Sequence, residues 1–459
     1  MSGGARRALA ALGATAVLGL ATIAETPAAP ASAAAARAAA PLGCPGCVIA
    51  GAGRAPLAVP DGTPLAGYGS LRRRLWVPDM LGRYPHAFWF KPGRAEHETL
   101  AARALVLERD GTRVVWVAVD LVAVDRTFTE TVAAQLARAG TNPGVLLIAA
   151  SHTHSGPGAF VDSALMGFVA VDRESPSVRE AVVAAVVDAV RRADEARGPA
   201  RAAVGVVPAP DIVRSRFDRP LDPEIVVLAV RRMDGAPVAL LWNFAIHGTM
   251  LGPGNLTFSG DVMGAASRML EQAVRVPALF VNGAVGDVSP ARHGRAALAE
   301  AAAALADAVG SAWARATPVG QGALRARTVR VDLPAPRLSL RNCLGSWLPA
   351  GFTLPLDGAF PRATTVTAVA LGDTVWLALP GEPATALGLR IKAEARHSFR
   401  HAFVAGVTND YVGYLVAAED YGRPSYVTCG SVYDVGTGDA LTKRAIGLLR
   451  ELLPAGRAR

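Results

Sequence analysis

The residues best suited to metal chemistry are three histidines, a glutamate and a tyrosine spread along the chain. The sequence holds only eight histidines, and two of them, His152 and His154, are one residue apart. His247, Glu382 and Tyr414 add a third imidazole, a carboxylate and a phenol. This nitrogen and oxygen set suits zinc, which binds about four ligands and keeps an open position for water where it is catalytic. Bound zinc lowers the pKa of water toward ~7 and polarises an acyl carbonyl, so the predicted chemistry is hydrolysis.

The His-x-His motif leaves two arrangements open. Alternate side chains of an extended segment lie on one face, so both rings could reach one metal. Equally, one ring could bind the metal while the other contacts substrate. Two other classes of His-x-His hydrolase fit less well. The motif continues Ser-Gly-Pro where a metallo-β-lactamase has an aspartate and a histidine, and no lysine lies between Lys91 and Lys392, where amidohydrolase barrels use one.

Each of these side chains, and also Ser289, follows a predicted strand. The strands that end just before them are residues 144–150, 238–245, 278–281, 374–379 and 402–407. Helical periodicity covers residues 177–193, 262–273, 296–314, 384–395 and 441–453. This alternation predicts an α/β protein with mixed sheets and flanking helices. Because ligands in such folds bind where the carboxyl ends of strands meet, we expect the active site there.

Taken singly, each residue also has a purely structural explanation. A histidine after a strand commonly caps it or forms a hydrogen bond, and the Pro-Gly-Glu around Glu382 is a common turn. Ser289 lies in a loop that could precede a helix, and Tyr414 would by default be a core aromatic residue. The arrival of six such side chains at the ends of five strands is what favours a site.

The N-terminus has the composition of a secretory signal. Arg6-Arg7 precede an apolar run over about residues 8–23, and small residues follow in an A-x-A-like cleavage pattern. We therefore expect residues 1–33 to be a cleaved signal peptide, residues 34–47 to be a lead-in, and the protein to be secreted. The apolar run is too short and too rich in alanine for a transmembrane helix.

All four cysteines lie beyond the predicted cleavage site: Cys44, Cys47, Cys343 and Cys429. An even number in a secreted protein predicts disulfides, and the three ways of pairing them stay open. The Cys44-Pro-Gly-Cys47 segment could also be a redox pair, although no helix of a βαβ unit follows it.

The charge balance restricts the partners. Lysine and arginine total 47 against 38 acidic residues, which gives +9, but only three of the basic residues are lysines. The arginines are scattered, so the sequence predicts no nucleic-acid partner. A peripheral contact with a membrane surface is the partner that this charge favours.

Five motifs resemble the neutral/alkaline, non-lysosomal ceramidase family. In chain order they are Thr-His-Ser-Gly-Pro-Gly at 153–158, Phe-Ala-Ile-His at 244–247, Gly-Asp-Val-Ser-Pro at 286–290, Leu-Pro-Gly-Glu at 379–382 and Asn-x-Tyr-x-x-Tyr at 409–414. The resemblance covers about residues 48–448, so residues 48–459 are expected to form a ceramidase-like catalytic domain. The β-sandwich domain that full ceramidases carry at the C-terminus is not expected here.

The resemblance implies a role for each motif residue. One zinc ion per chain would be held by His152, His247, Glu382 and Tyr414. His154 would transfer a proton or stabilise an oxyanion, and Ser289 would act either as a nucleophile or by positioning the substrate. The implied substrate-binding residues are Arg214 and Tyr426. We favour attack by zinc-activated water, because the metal already supplies both the nucleophile and the carbonyl activation.

The sequence also departs from the family in its substrate-reading loops. The family motif His-Pro-Thr-Ser-Met is replaced by His-Gly-Thr-Met-Leu from His247, and Ala291 stands where the family has asparagine. We therefore predict a secreted zinc amidohydrolase that cleaves the N-acyl bond of ceramide or a ceramide-like lipid. Hydrolysis of another acylated amine or ester is the alternative within enzymes, and a non-catalytic secreted module with structural zinc is the alternative outside them.

Overall fold

A computed structural model of the protein describes residues 44–94 and 99–453. The predicted signal peptide, residues 34–43 of the lead-in, and His97 lie outside the described residues. The strands are β1 (Cys47–Pro56), β2 (Ala101–Arg109), β3 (Thr112–Val119), β4 (Val145–Ala150), β5 (Gly198–Pro208), β6 (Val213–Ser215), β7 (Glu224–Arg232), β8 (Pro237–Phe244), β9 (Ala278–Asn282), β10 (Val288–Pro290), β11 (Thr317–Pro318), β12 (Leu324–Asp332), β13 (Arg337–Ser339), β14 (Thr353–Pro355), β15 (Ala363–Leu371), β16 (Thr374–Ala378), β17 (Glu382–Pro383), β18 (His401–Ala405) and β19 (Tyr414–Leu415).

The helices are α1 (Arg126–Arg138), α2 (Ala164–Met166), α3 (Pro176–Glu195), α4 (Asp261–Val274), α5 (Arg295–Ala314), α6 (Leu340–Leu344), α7 (Thr385–Ala395), α8 (Ala418–Tyr421), α9 (Tyr426–Cys429) and α10 (Thr437–Leu452). A π-helical turn, Gly167–Val171, follows α2 directly. Within the part of the chain that the structure describes, no helix is long and apolar enough to cross a bilayer.

Two sheets stack between two layers of helices. The larger sheet has the order β4-β3-β2-β1-β5-β7-β8-β9, with β11 beside β5, and the smaller has the order β12-β15-β16-β18. Alternate residues of β3 show that the larger sheet is covered on both faces. Val115 and Val117 pack in one core with α1 and α3, whereas Trp116 packs against the smaller sheet. Helices α4 and α5 cover β7 to β9, and α7 and α10 cover the outer face of the smaller sheet. Strands buried on both faces explain the continuous apolar runs.

The predicted mixed α/β class is confirmed. Most pairs in the larger sheet are antiparallel, but β4 and β9, at its two edges, run parallel to their neighbours β3 and β8. In the smaller sheet β16 and β18 are parallel, and so are the short strands β17 and β19 beyond them. These parallel pairs bring strand ends that are distant in sequence to the same edge. His152 follows β4 and His247 follows β8 there, while Glu382 and Tyr414 begin β17 and β19.

The structure also pairs the cysteines. One disulfide joins Cys44 to Cys47 in the lead-in, and the other joins Cys343 of α6 to Cys429 of α9. The second bond closes a loop of sequence separation 86 and ties two short helices to each other. The prediction that the cysteines form disulfides is confirmed, with the pairing that the sequence had left open.

Candidate functional site

Four predicted metal ligands lie together at the edge where the parallel strands end. The Oε2 atom of Glu382 is 3.4 Å from Nε2 of His152 and 3.0 Å from Nε2 of His247. The hydroxyl of Tyr414 is 3.4 Å from the same nitrogen of His247. Glu382 and Tyr414 are opposite each other in the parallel pair of β17 and β19, which explains how residues so far apart in sequence meet. All four side chains are buried.

His152 is held in an unusual backbone conformation that aims its ring at this point. Its φ of 68° lies in the left-handed region, which costs a non-glycine residue energy and is found preferentially at functional sites. Nδ1 lies 2.6 Å from the backbone oxygen of Val122, so this nitrogen carries the proton and donates. The other ring nitrogen, Nε2, faces Glu382. A parallel bridge between Thr153 and Gly248 fixes the segment beside the one that carries His247.

The carboxylate of Glu382 is held in place through Oε1, the oxygen that does not face the imidazoles. The hydroxyl of Tyr411 donates to Oε1 at 2.7 Å, which leaves Oε2 free to face the two imidazoles. Burial alone would raise the pKa of Glu382, but His152 and His247 hold it well below its usual range. A buried carboxylate that is ionised and has an oxygen without a hydrogen-bond donor is a strong point for binding a cation.

His154 supplies a third imidazole to the same cluster. One ring nitrogen from each of His152, His154 and His247 lies within 4.8 Å of the others. Both nitrogens of His154 are buried without a hydrogen-bond partner. Its ring packs against the space above Gly67, where a Cβ atom would come within 2.6 Å of the ring, and its centroid is 4.8 Å from that of Tyr68.

The electrostatics of the cluster fit a metal ion. Burial, and then Arg216, lowers the pKa of His247 to about 3, and burial together with the other two histidines lowers the pKa of His154 well below its usual range. The rings of His154 and His247 are therefore neutral and present lone pairs, as metal ligands must. Buried nitrogen and oxygen atoms without partners are expensive to keep, and a cation bound among them would satisfy them. These residues thus fit a metal.

Ser289 lies next to the cluster but is bound by an arginine. Arg216 Nε donates to the Ser289 hydroxyl at 2.7 Å, and its Nη1 donates to the Tyr414 hydroxyl at 3.3 Å. The antiparallel pairing of β6 and β10 brings the two segments together, with Arg214 opposite Ser289 in the register. Arg214 itself is exposed. Arg216, two residues further along, contacts Ser289 and Tyr414 with its guanidinium.

An apolar cavity of about 320 Å³ opens from this cluster. His152, His154, Glu382 and Tyr414 form its polar end. Its apolar walls come from four segments: residues 122–124, residues 161–171, the pair Leu338 and Leu356, and Phe360 with Val432. Tyr426 also lines it, with its ring 5.9 Å from that of Tyr414, although the residue is largely exposed. A larger cavity of about 500 Å³ between residues 251–257 and the start of α5 is polar and does not include the cluster.

The structure brings most of the predicted site residues together and adds two neighbours that the sequence analysis did not name. His152, His154, His247, Glu382 and Tyr414 are brought together, and which of the three imidazoles bind the metal stays a prediction. Arg216 and Tyr411 were missed. The signal for Tyr411 was present in the Asn-x-Tyr-x-x-Tyr motif, whereas no spacing rule distinguishes Arg216 from Arg214.

Two buried aspartates accept hydrogen bonds from backbone N–H groups. The Asp120 carboxylate accepts from the Ala101 N–H and pairs with Arg103, which secures the end of β3. Asp261 accepts from the N–H groups of Met250 and Leu251 and so shapes the loop after His247. The His152 imidazole is oriented by its contact with the carbonyl of Val122.

Comparison with known sequences identifies relatives over a little less than half of the chain. Residues 92–311 match the family model described as neutral/alkaline non-lysosomal ceramidase, N-terminal. Neutral ceramidase B of Dictyostelium discoideum is 27% identical over 232 residues, which is 44% of this chain and 32% of that protein. The neutral ceramidase of Pseudomonas aeruginosa is 28% identical over 215 residues, 41% of this chain and 31% of that protein. The matched part therefore spans about a third of the length of these relatives.

Solved structures extend the similarity of fold to most of the chain. A ceramidase complexed with C2 superposes with a TM-score of 0.76 at 20% identity, over 91% of this chain and 77% of that one. The neutral ceramidase of Pseudomonas aeruginosa superposes with a TM-score of 0.75 at 21% identity, over 89% of this chain and 75% of that one. The fold is that of a neutral ceramidase.

Proposed function

Because residues 92–311 match the model of the neutral/alkaline non-lysosomal ceramidase family, we propose that the chain is an amidohydrolase that cleaves the N-acyl bond of ceramide or a ceramide-like lipid. In this reaction water adds to the acyl carbon, the C–N bond breaks, and the amine leaves with the proton. The products are a fatty acid and a sphingoid base. The observation that carries the proposal is the cluster of buried nitrogen and oxygen atoms without hydrogen-bond partners at the polar end of an apolar cavity.

We propose zinc as the metal, held by His152, His247, Glu382 and Tyr414. Bound there, zinc supplies an activated water and polarises the carbonyl of the scissile amide. Tyr411 keeps Glu382 oriented, and Val122 fixes the tautomer of His152. Hydrogen-bond partners of metal ligands set both the orientation and the basicity of those ligands.

Ser289 positions the substrate in this proposal. A serine nucleophile needs a neighbouring base to take its proton. The Ser289 hydroxyl is in contact, at 2.7 Å, with the guanidinium of Arg216, which has only donors to offer and is not a base. The hydroxyl accepts from Arg216 and keeps its own proton to donate to a polar group of the substrate. His154, neutral and buried at the rim of the cluster, is the group placed to move a proton to the leaving nitrogen.

The apolar cavity takes the acyl chain. Its walls are aliphatic and aromatic, so the chain gains by leaving water while the amide remains at the polar end. Arg214 and Tyr426 are proposed to contact the headgroup side, where both residues are exposed. We propose further that the protein is secreted after removal of residues 1–33, which N-terminal sequencing of protein from culture medium tests directly.

The test compares wild type with His247→Ala, and with His293→Ala as a control for loss of an exposed histidine. We expect about one zinc per chain and turnover of N-acylsphingosine for wild type and His293→Ala, and loss of both for His247→Ala. Undiminished turnover by metal-free His247→Ala would end the metal mechanism.

A second comparison separates the alternatives for the substrate and for the ligand set. If wild type binds zinc but hydrolyses only other N-acyl amines or esters, ceramide is not the substrate and the proposal of a hydrolase still holds. Zinc with no turnover of any acyl substrate would favour a structural metal. His154→Ala should keep its zinc and lose activity, because the proposed ligand set does not include His154.

A further inference from the structure

One loop exposes large apolar side chains to a degree that a soluble surface rarely shows. In residues 71–83, which we term the apolar loop, Trp76 is 97% exposed, Leu81 83%, Leu71 81% and Met80 75%. Val77 between them is exposed as well. Single exposed apolar residues are ordinary, but a group of this size marks a surface that binds something apolar.

The same stretch of chain is strongly basic. Residues 70–91 contain four arginines and one lysine against one acid, Asp79. Asp79 is buried and lies 3.6 Å from Arg83, so it does not present negative charge at the surface. Arg72 and Arg83 are exposed beside the apolar side chains. Exposed tryptophan and leucine next to arginine is the composition of segments that insert at the interface of an anionic bilayer.

The apolar loop is firmly built rather than a loose excursion. The Leu75 N–H donates to the carbonyl of Trp89 at 3.0 Å, and the Lys91 N–H donates to the carbonyl of Arg73 at 2.7 Å. The Asp172 carboxylate accepts from the backbone N–H groups of three successive residues, Phe88, Trp89 and Phe90. These bonds fix the backbone on both sides of the exposed side chains.

Two arginines connect this loop to the walls of the cavity. Arg74 stacks on the ring of Phe168 at 4.5 Å and donates to its carbonyl, and the next residue, Val169, lines the cavity. Arg73 is buried and donates to the carbonyls of Ala66 and His154, both at 2.7 Å. Through Arg74 the loop therefore packs against the segment that supplies one wall of the cavity.

We propose that the apolar loop docks the protein onto an anionic lipid bilayer. Trp76, Met80 and Leu81 enter the interface while Arg72 and Arg83 contact lipid phosphates, so that an acyl chain can pass from the bilayer into the cavity. The proposal rests on the proposed function only for the identity of the lipid that enters; the docking itself needs no catalysis.

Binding to vesicles tests the docking without any turnover. Wild type should cosediment with phosphatidylcholine vesicles containing phosphatidylglycerol, and less with phosphatidylcholine alone. The triple variant Trp76→Ser/Met80→Ser/Leu81→Ser should partition roughly tenfold or more weakly, because each buried large apolar side chain contributes that much. Met233→Ser is the matched control, since Met233 is also exposed but lies in the turn between β7 and β8. It should bind like wild type.

Two further measurements keep the test decisive. Circular dichroism and turnover of a short-chain, water-soluble N-acyl substrate should be unchanged in the triple variant, so that a folding defect is recognised. Brominated lipids should quench wild-type fluorescence, and Trp76→Phe should lose most of that quenching. Vesicle binding that the triple variant retains, or that Met233→Ser loses equally, would refute the docking surface. If wild type is a dimer and the triple variant is a monomer, the apolar loop binds a second copy of the chain and not a bilayer.

Discussion

Replacing Tyr411 by phenylalanine should weaken metal binding without removing a ligand. The Tyr411 hydroxyl donates to Glu382 Oε1 at 2.7 Å inside a buried site, and the substitution leaves that carboxylate oxygen without its donor. A hydrogen bond to a charged group contributes about 1.5–3 kcal/mol, which corresponds to a loss of roughly 10- to 100-fold in zinc affinity. Turnover should fall at limiting zinc and recover substantially when zinc is in excess.

The measurement is zinc affinity by competition with a chromophoric chelator. Tyr433→Phe is the matched control, because the Tyr433 hydroxyl donates at the same 2.7 Å to the backbone oxygen of Pro361, an uncharged acceptor that is not in the cluster. The control should lose about 1 kcal/mol of unfolding free energy and keep its zinc affinity. If the zinc affinity of Tyr411→Phe equals that of wild type, Tyr411 does not support a ligand, and the reasoning that Glu382 binds metal through its other oxygen fails.

Three other predictions concern the walls and frame of the site. Gly67→Ala should lower kcat/KM at least tenfold, because the new Cβ meets the His154 ring at 2.6 Å. Gly62→Ala, which also has a positive φ but open space around it, should lower only stability, and Michaelis kinetics of both variants test this difference. Replacing both cysteines of the disulfide between α6 and α9 by serine should lower the unfolding free energy by about 4–5 kcal/mol in a urea titration, since the bond closes a loop of sequence separation 86. Burial would raise the pKa of Glu224, but Lys392 and Arg396 lower it. The ion pairs of Glu224 therefore stabilise the fold above about pH 4.5, and this stabilisation is lost as the pH falls through the lowered pKa. Urea titrations from pH 6 to 3 should show an unfolding free energy that depends less on pH in Lys392→Met than in wild type.

Strands with two buried faces were the easiest part of the fold to predict. β3 is apolar on both faces because α3 covers one and the smaller sheet covers the other, so its sequence is a continuous run of valine, tryptophan and alanine. The predicted helices 177–193 and 296–314 correspond to α3 and α5 within a residue or two. Long periodic segments of this kind are specified locally.

Other elements depend on neighbours that the sequence does not name. β12 alternates arginine with small or apolar residues because it is an edge strand of the smaller sheet, and its outward residues face water. β5 carries glycine and alanine because α5 lies so close that a Cβ on Gly205 would meet the carbonyl of Ala312 at 2.0 Å. Weak strand formers were therefore required by packing, and a local pattern could not reveal them.

The site separates along the same line. His152, His247 and Glu382 were predictable because chemistry and strand ends coincide in the sequence, and a parallel pair brings such ends to one edge whatever their separation. The choice between Arg214 and Arg216 depends on register. β6 pairs with β10 so that Arg214 stands opposite Ser289, yet it is exposed, while Arg216, beyond the end of β6, turns its guanidinium onto the serine and onto Tyr414. Because Arg216 binds both a proposed metal ligand and the serine, it makes the two halves of the site one unit, and a substitution there should affect zinc affinity and substrate binding together.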